Sequence, residues 1–149
     1  MNIRKDELVE LPGLGGFRRS EVFTPEGDRV TWPEYTGEVI TTLGKCYVVF
    51  RDWDRYLDTE SVIGLLPRVD LVCQQMEPLK LRAAEAVVQV FADEEDAEVD
   101  PDEFEASLEF NLETTIVHMV DLMGRFEDGY WPAVHFNPHF EVINVTLEC

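Results

Sequence analysis

Residues 59–76 read TESVIGLLPRVDLVCQQM, and the period of their apolar side chains decides the fold class. Val62, Leu66, Val69, Cys73 and Met76 recur at steps of four, three, four and three, which line one face of a helix. Asp58 or Thr59 stands where a short side-chain oxygen can accept from the free N–H groups of a first turn. Pro67 lacks an N–H and should kink this helix. Pro78 opens a second pattern through Leu79, Ala83, Ala86, Val87 and Val90, ending near Phe91. Residues 59–92 therefore read as a pair of helices.

Upstream the period is two. Arg18 to Phe23 reads as a strand, and Pro25-Glu26-Gly27-Asp28 is a turn between Glu21–Phe23 and Arg29–Trp32. Glu38–Leu43 and Lys45–Arg51 form a second hairpin around Gly44, with strand formers at Tyr47, Val48, Val49 and Phe50. Residues 1–17, with the glycine-rich stretch Leu11 to Phe17, read as a loosely ordered N-terminal lead-in. No helix follows those glycines, so they do not form a phosphate cradle. Downstream, Asp100, Pro101 and Glu103 carry the signature of a helix start, which predicts a short helix near 101–108. Leu112–Val120, Tyr130–Phe136 and Phe140–Leu147 read as strands. The parity of apolar residues switches after Val142, which calls for a bulge there or a strand buried on both faces. The expected fold is α+β in a single domain over residues 1–149: an antiparallel sheet with the pair of helices on one face.

The chain has 149 residues, 45% of them hydrophobic, enough for a core without disulfide or metal support. Cys46, Cys73 and Cys149 are scattered and odd in number, which suits a reducing compartment. No apolar leader or membrane-spanning run is present, so a cytoplasmic location is expected. The net charge is −19. Residues 1–82 hold 11 of the 12 Lys and Arg against 14 acids, a balance of −3; residues 83–149 hold Arg125 alone against 17 acids, a balance of −16. Such a field opposes nucleic acid and anionic membranes and favours a basic protein partner.

No catalytic constellation emerges. Ser20, Ser61 and Ser107 lie outside any nucleophile-elbow motif, and Cys73 belongs to the apolar stripe. His118, His135 and His139 all fall in the C-terminal strand region, where imidazoles with Asp128 or Glu141 would suit zinc. Asn137-Pro138 breaks the spacing of a helical pair, and no metal or other cofactor is expected. The acidic run from Asp93 to Glu105 lacks the glycine of a calcium loop. Two surfaces remain as partner-binding candidates: the run Asp93, Glu94, Glu95, Asp96 and Glu98, and the aromatic pair Trp53 and Tyr56. Trp53 and Tyr56 read first as lids on the core and second as interface anchors.

Three segments, Ala83 to Val88, Asp102 to Leu108, and Gly129 to Trp131 leading to Phe140–Val142, resemble small acidic bacterial proteins of unknown function. The resemblance covers residues 45–149 in pattern. Some such families are thought to include immunity proteins that neutralise toxins, which implies a non-enzymatic binding protein and carries over no catalytic residue. Two other readings stay open: a metal- or small-ligand-binding protein using the histidine region, and a housekeeping homo-oligomer whose acid serves solubility. Oligomeric state is not legible in the sequence.

Overall fold

The computed structural model describes residues 1–92 and 99–149. Eight strands form one sheet in chain order: β1 (Ile3–Leu11), β2 (Gly15–Phe23), β3 (Glu34–Thr41), β4 (Gly44–Phe50), β5 (Phe104–Phe110), β6 (Thr115–Asp121), β7 (Trp131–Phe136) and β8 (Val142–Glu148). Every neighbouring pair is antiparallel except β4 and β5, which run parallel with Val48, Val49 and Phe50 opposite Leu108, Glu109 and Phe110. A parallel pair needs a long crossover. The two helices, α1 (Thr59–Gln74) and α2 (Met76–Phe91), supply it. The fold is thus α+β with the expected helix pair, on a mixed sheet rather than a purely antiparallel one.

The helices cover one face. Phe17, Tyr35, Val39, Val48, Phe50, Leu108, Phe110, Val117, Met119, Val134 and Phe136 point to them. From the helices come Val62, Leu65, Val69, Val72, Leu79, Ala83, Ala84 and Val87. Burial of this apolar surface is the main stabilising term. The stripe expected on α1 holds at Val62, Val69 and Cys73, with Leu65 in the place expected for Leu66. Met76 begins α2 instead of ending α1. Pro67 lies inside α1 on its exposed side, and the helix continues past it to Gln74. Arg68 pins α1 to the β5–β6 turn, donating to the carbonyls of Asn111 (2.7 Å), Leu112 (2.6 Å) and Thr114 (3.2 Å). No helix among the described residues is long and apolar enough to cross a membrane.

The cap of α1 is Asp58, whose carboxylate accepts from the Ser61 N–H at 2.7 Å. That bond holds the Asp58 carboxyl below its ordinary pKa. A depressed carboxyl stabilises the fold above its unfolded pKa, and the contribution is lost as pH falls through the folded value. Asp58→Ala should therefore lower the thermal midpoint by a few degrees at neutral pH, a deficit that shrinks in acid; a deficit independent of pH would assign the effect to something other than the cap.

Three expectations are corrected and a fourth holds. The short helix near 101–108 is a single 3-10 turn at Pro101–Glu103, after which the chain enters β5. Asp100 does cap that turn, accepting from the Asp102 N–H at 3.0 Å, but Phe104, Ala106, Leu108 and Phe110 alternate with period two and belong to a strand. Residues 1–17, expected as a loose lead-in, carry β1 and the start of β2, paired from Ile3 opposite Phe23 to Leu11 opposite Gly15. The hairpin expected at 21–32 is reduced to one bridge, Phe23 to Arg29, and β2 pairs instead with β3. The bulge expected near Val142 is present: Asn144 opposes His135 and Val142 opposes Phe136, so Ile143 is the extra residue. The alternative, a strand buried on both faces, is excluded by the exposure of Val142, Ile143 and Leu147.

Candidate functional site

The face of the sheet opposite the helices carries a polar network at its centre. Glu109 of β5 is only 2% exposed there. Its Oε1 accepts from Arg51 Nη2 and faces His118 Nε2, both at 3.0 Å, while Oε2 has no partner among the described residues. Arg51 also donates to Glu34 at 3.3 Å, and its guanidinium stacks over the Trp53 ring at 4.7 Å. Burial pushes the Glu109 pKa up, but the hydrogen bonds from His118 and Arg51 outweigh it and hold the carboxyl below its ordinary value.

Trp131 fixes the state of His118. The indole N–H can only donate, and it points at His118 Nδ1 at 2.9 Å. Nδ1 is therefore an acceptor, and the ring is the neutral tautomer whose Nε2–H donates to Glu109. Both nitrogens are occupied, one by Trp131 and one by Glu109. The two contacts tie His118 into the sheet between β5 and β7.

The other histidines do not join it. His135 bonds Thr146 at 2.9 Å, and burial holds its pKa below the ordinary value. His139 sits in the exposed turn organised by Asn137 Oδ1, which accepts from the His139 and Glu141 N–H groups. Among the described residues no group of three or more His, Cys, Asp or Glu is disposed to hold a metal ion. The alternative reading, a ligand set of His118, His135 and His139, is not assembled among the described residues.

Trp53 and Tyr56 are not lids on the core. Trp53 is 69% exposed and Tyr56 40%. Tyr56 accepts from Arg19 at 2.6 Å and stacks under Arg29 at 4.7 Å, edge-on to Trp32. Glu21, buried between Arg19 and Arg29, is their shared counter-charge. Beside it a cleft of about 390 Å³ opens between Trp32 and Trp53, with Arg4, Ser20, Glu34 and Arg51 in its wall. Arg4 is engaged with Asp6, as Arg51 is with Glu34 and Glu109.

A separate acidic cluster lies at the opposite end of the sheet, where β5 begins, β6 ends and β7 begins. Arg125 is the lone cation of residues 83–149, and it is held there by Asp121 at 2.8 Å and Glu103 at 3.0 Å. Its hydrogen bonds hold the Asp121 carboxyl below its ordinary pKa. Asp102, Glu105, Glu127 and Asp128 are exposed at the same end, and among the described residues none of them forms an ion pair. Leu122, Met123 and Tyr130 are exposed beside them. The acids Asp93, Glu94, Glu95, Asp96 and Glu98, expected to bind a partner, lie outside the described residues. The charge signal of the sequence thus finds this end, but it does not single out the apolar residues there, nor the network around Glu109.

Comparison of the chain with protein families, with curated proteins and with solved structures finds no match.

Proposed function

We propose that this chain is a non-enzymatic binding protein whose acidic C-terminal half engages a basic protein. The observation that carries the reading is the fate of Arg125. The one cation of that half is already paired with Asp121 and Glu103, and among the described residues none of the exposed acids Asp102, Glu105, Glu127 and Asp128 around it forms an ion pair. The run 93–98 adds five acids by sequence. Exposed Leu122, Met123 and Tyr130 supply apolar contact once charge has brought a partner in. A toxin antidote is one instance of such a protein.

The test is a pull-down from the native cell at low salt with the wild-type chain and with a variant carrying Asp102→Asn, Glu105→Gln, Glu127→Gln and Asp128→Asn. Stoichiometric partners of the wild type should be basic. Their association rate should fall by about tenfold or more as ionic strength rises and the screening length drops below roughly 8 Å. The variant should keep its thermal midpoint and lose them, because exposed charges contribute little to folding. A partner bound equally by both proteins and indifferent to salt would refute the reading.

A further inference from the structure

The two edges of the sheet are unlike. β1 carries Arg4, Lys5, Asp6, Glu7 and Glu10, charges that discourage another strand from adding to it. β8 has none from Val142 to Leu147, no proline, and Val142, Ile143 and Leu147 exposed. Its ladder with β7 shows which main-chain groups face outward. Pro132, which has no N–H, lies opposite Leu147, and the Val145 N–H turns to the Asn144 side chain at 3.0 Å and not to β7. Residues opposite each other in antiparallel strands alternate between bonded and non-bonded pairs. Asn144 and Thr146 therefore bond to β7, whereas Val145 and Leu147 direct their N–H and C=O groups to the open edge, where Asn144 Oδ1 occupies the Val145 N–H and an added strand has to displace it.

We infer that β8 accepts an extended segment of the basic partner as a ninth strand. This rests on the basic-partner reading and names where and how that partner docks. The surroundings select its charge. Glu141 precedes the strand and Glu148 ends it, and Glu85 of α2 lines the groove beside its start. The one cation of that groove, Arg82, donates to the Phe140 carbonyl at 3.3 Å. A strand alternating basic with β-branched residues would set its charges among these acids and its apolar side chains on Val142, Val145 and Leu147. A second copy of the chain pairing β8 to β8 would instead bring two halves of strongly negative charge together.

The experiment uses the full chain, isotope-labelled, at low salt, with a decapeptide of alternating lysine and valine. Its controls are a lysine–proline decapeptide, which cannot form a ladder, and a glutamate–valine one. The lysine–valine peptide should bind at least about tenfold tighter than either control and slow hydrogen exchange at the Val145 and Leu147 amides by a similar factor. Equal binding of the lysine–valine and lysine–proline peptides would overturn strand addition and leave the basic-partner reading standing. No binding by either lysine peptide, or equal binding by the glutamate–valine peptide, would overturn both. A free protein that sediments as a dimer with those two amides already protected would assign the edge to a second copy and overturn the inference.

Discussion

Arg51→Met should destabilise the protein by about 3 kcal/mol at neutral pH, because it strips a buried carboxylate of its cation. Breaking a buried pair from one side costs about 3–5 kcal/mol. The lower figure applies because the Arg51 side chain is 28% exposed and His118 still faces Glu109. For a chain of this length the thermal midpoint should fall by roughly 6–12 °C. The pH dependence gives the cause. In the wild type the Glu109 pKa is depressed, so its contribution is present above the unfolded pKa and is lost as pH falls through the folded one. In the variant burial is offset by His118 alone, the pKa rises, and the gap to the wild type should narrow toward acid as Glu109 takes up a proton. Arg51→Met with Glu109→Leu should recover much of the loss, since an apolar pair replaces a stranded charge. Urea melts at neutral and acid pH check this. A gap that stays constant with pH would show that Arg51 acts through packing on Trp53 rather than through Glu109.

Gly37→Ala should cost about 1–3 kcal/mol, the usual range for overpacking a filled core. A Cβ at Gly37 would lie 2.8 Å from Cδ2 and 2.9 Å from Cε2 of Phe17, closer than carbon atoms approach. Phe17 is fully buried and packs against Phe50 with centroids 5.6 Å apart, so it has little room to retreat. Gly37 is needed for the ring that lies over it, not for an unusual backbone angle. Gly37→Ala combined with Phe17→Leu should restore part of the stability, a coupling that a double-mutant cycle reads directly. A single variant within about 0.5 kcal/mol of the wild type would mean that the sheet shifts to accept the methyl group.

The helices were legible because their apolar stripe is long and regular, and Asp58 sits where a cap is required. β5 was not, although Phe104 to Phe110 alternates without a fault. Asp100, Pro101 and Glu103 announce a helix, and that start signal is spent on one 3-10 turn. Local chemistry spoke for a helix and the sheet overruled it, because the segment could bury Phe104, Leu108 and Phe110 only by pairing with β4 and β6. The network around Glu109 is illegible for a related reason. In Leu108-Glu109-Phe110 the acid looks like an outward-facing residue of a half-buried strand. It becomes buried because β5 is central and Arg51 and His118, 58 and 9 positions away in sequence, close over it. Only the strand order brings those three together. The acidic end was legible as charge, since composition alone separates the two halves; the exposed Leu122 and Met123 beside it were not, being scattered apolar residues until the turn gathers them.

The strand order also carries the charge asymmetry of the sequence into space: β1 to β4 with the arginine corner fill one side of the sheet, and β5 to β8 with the acidic end fill the other. Strands β1 to β4 alternate in direction, β5 repeats the direction of β4, and β6 to β8 alternate again. The chain therefore starts at the arginine corner, with Ile3 opposite Phe23, and finishes at the acidic end, with Glu148 opposite Trp131. An approaching basic molecule feels a torque as well as an attraction, and is turned toward the acidic end before any contact is made. The same polarity governs how the protein is best mounted on a sensor surface. Cys149 is an exposed free thiol beside Glu148, whereas the buried Cys46 thiol is pushed up to about 12 and is inert. Coupling through Cys149 turns the acidic end to the surface and hides it; coupling through the amino group of Met1 turns it toward the solution.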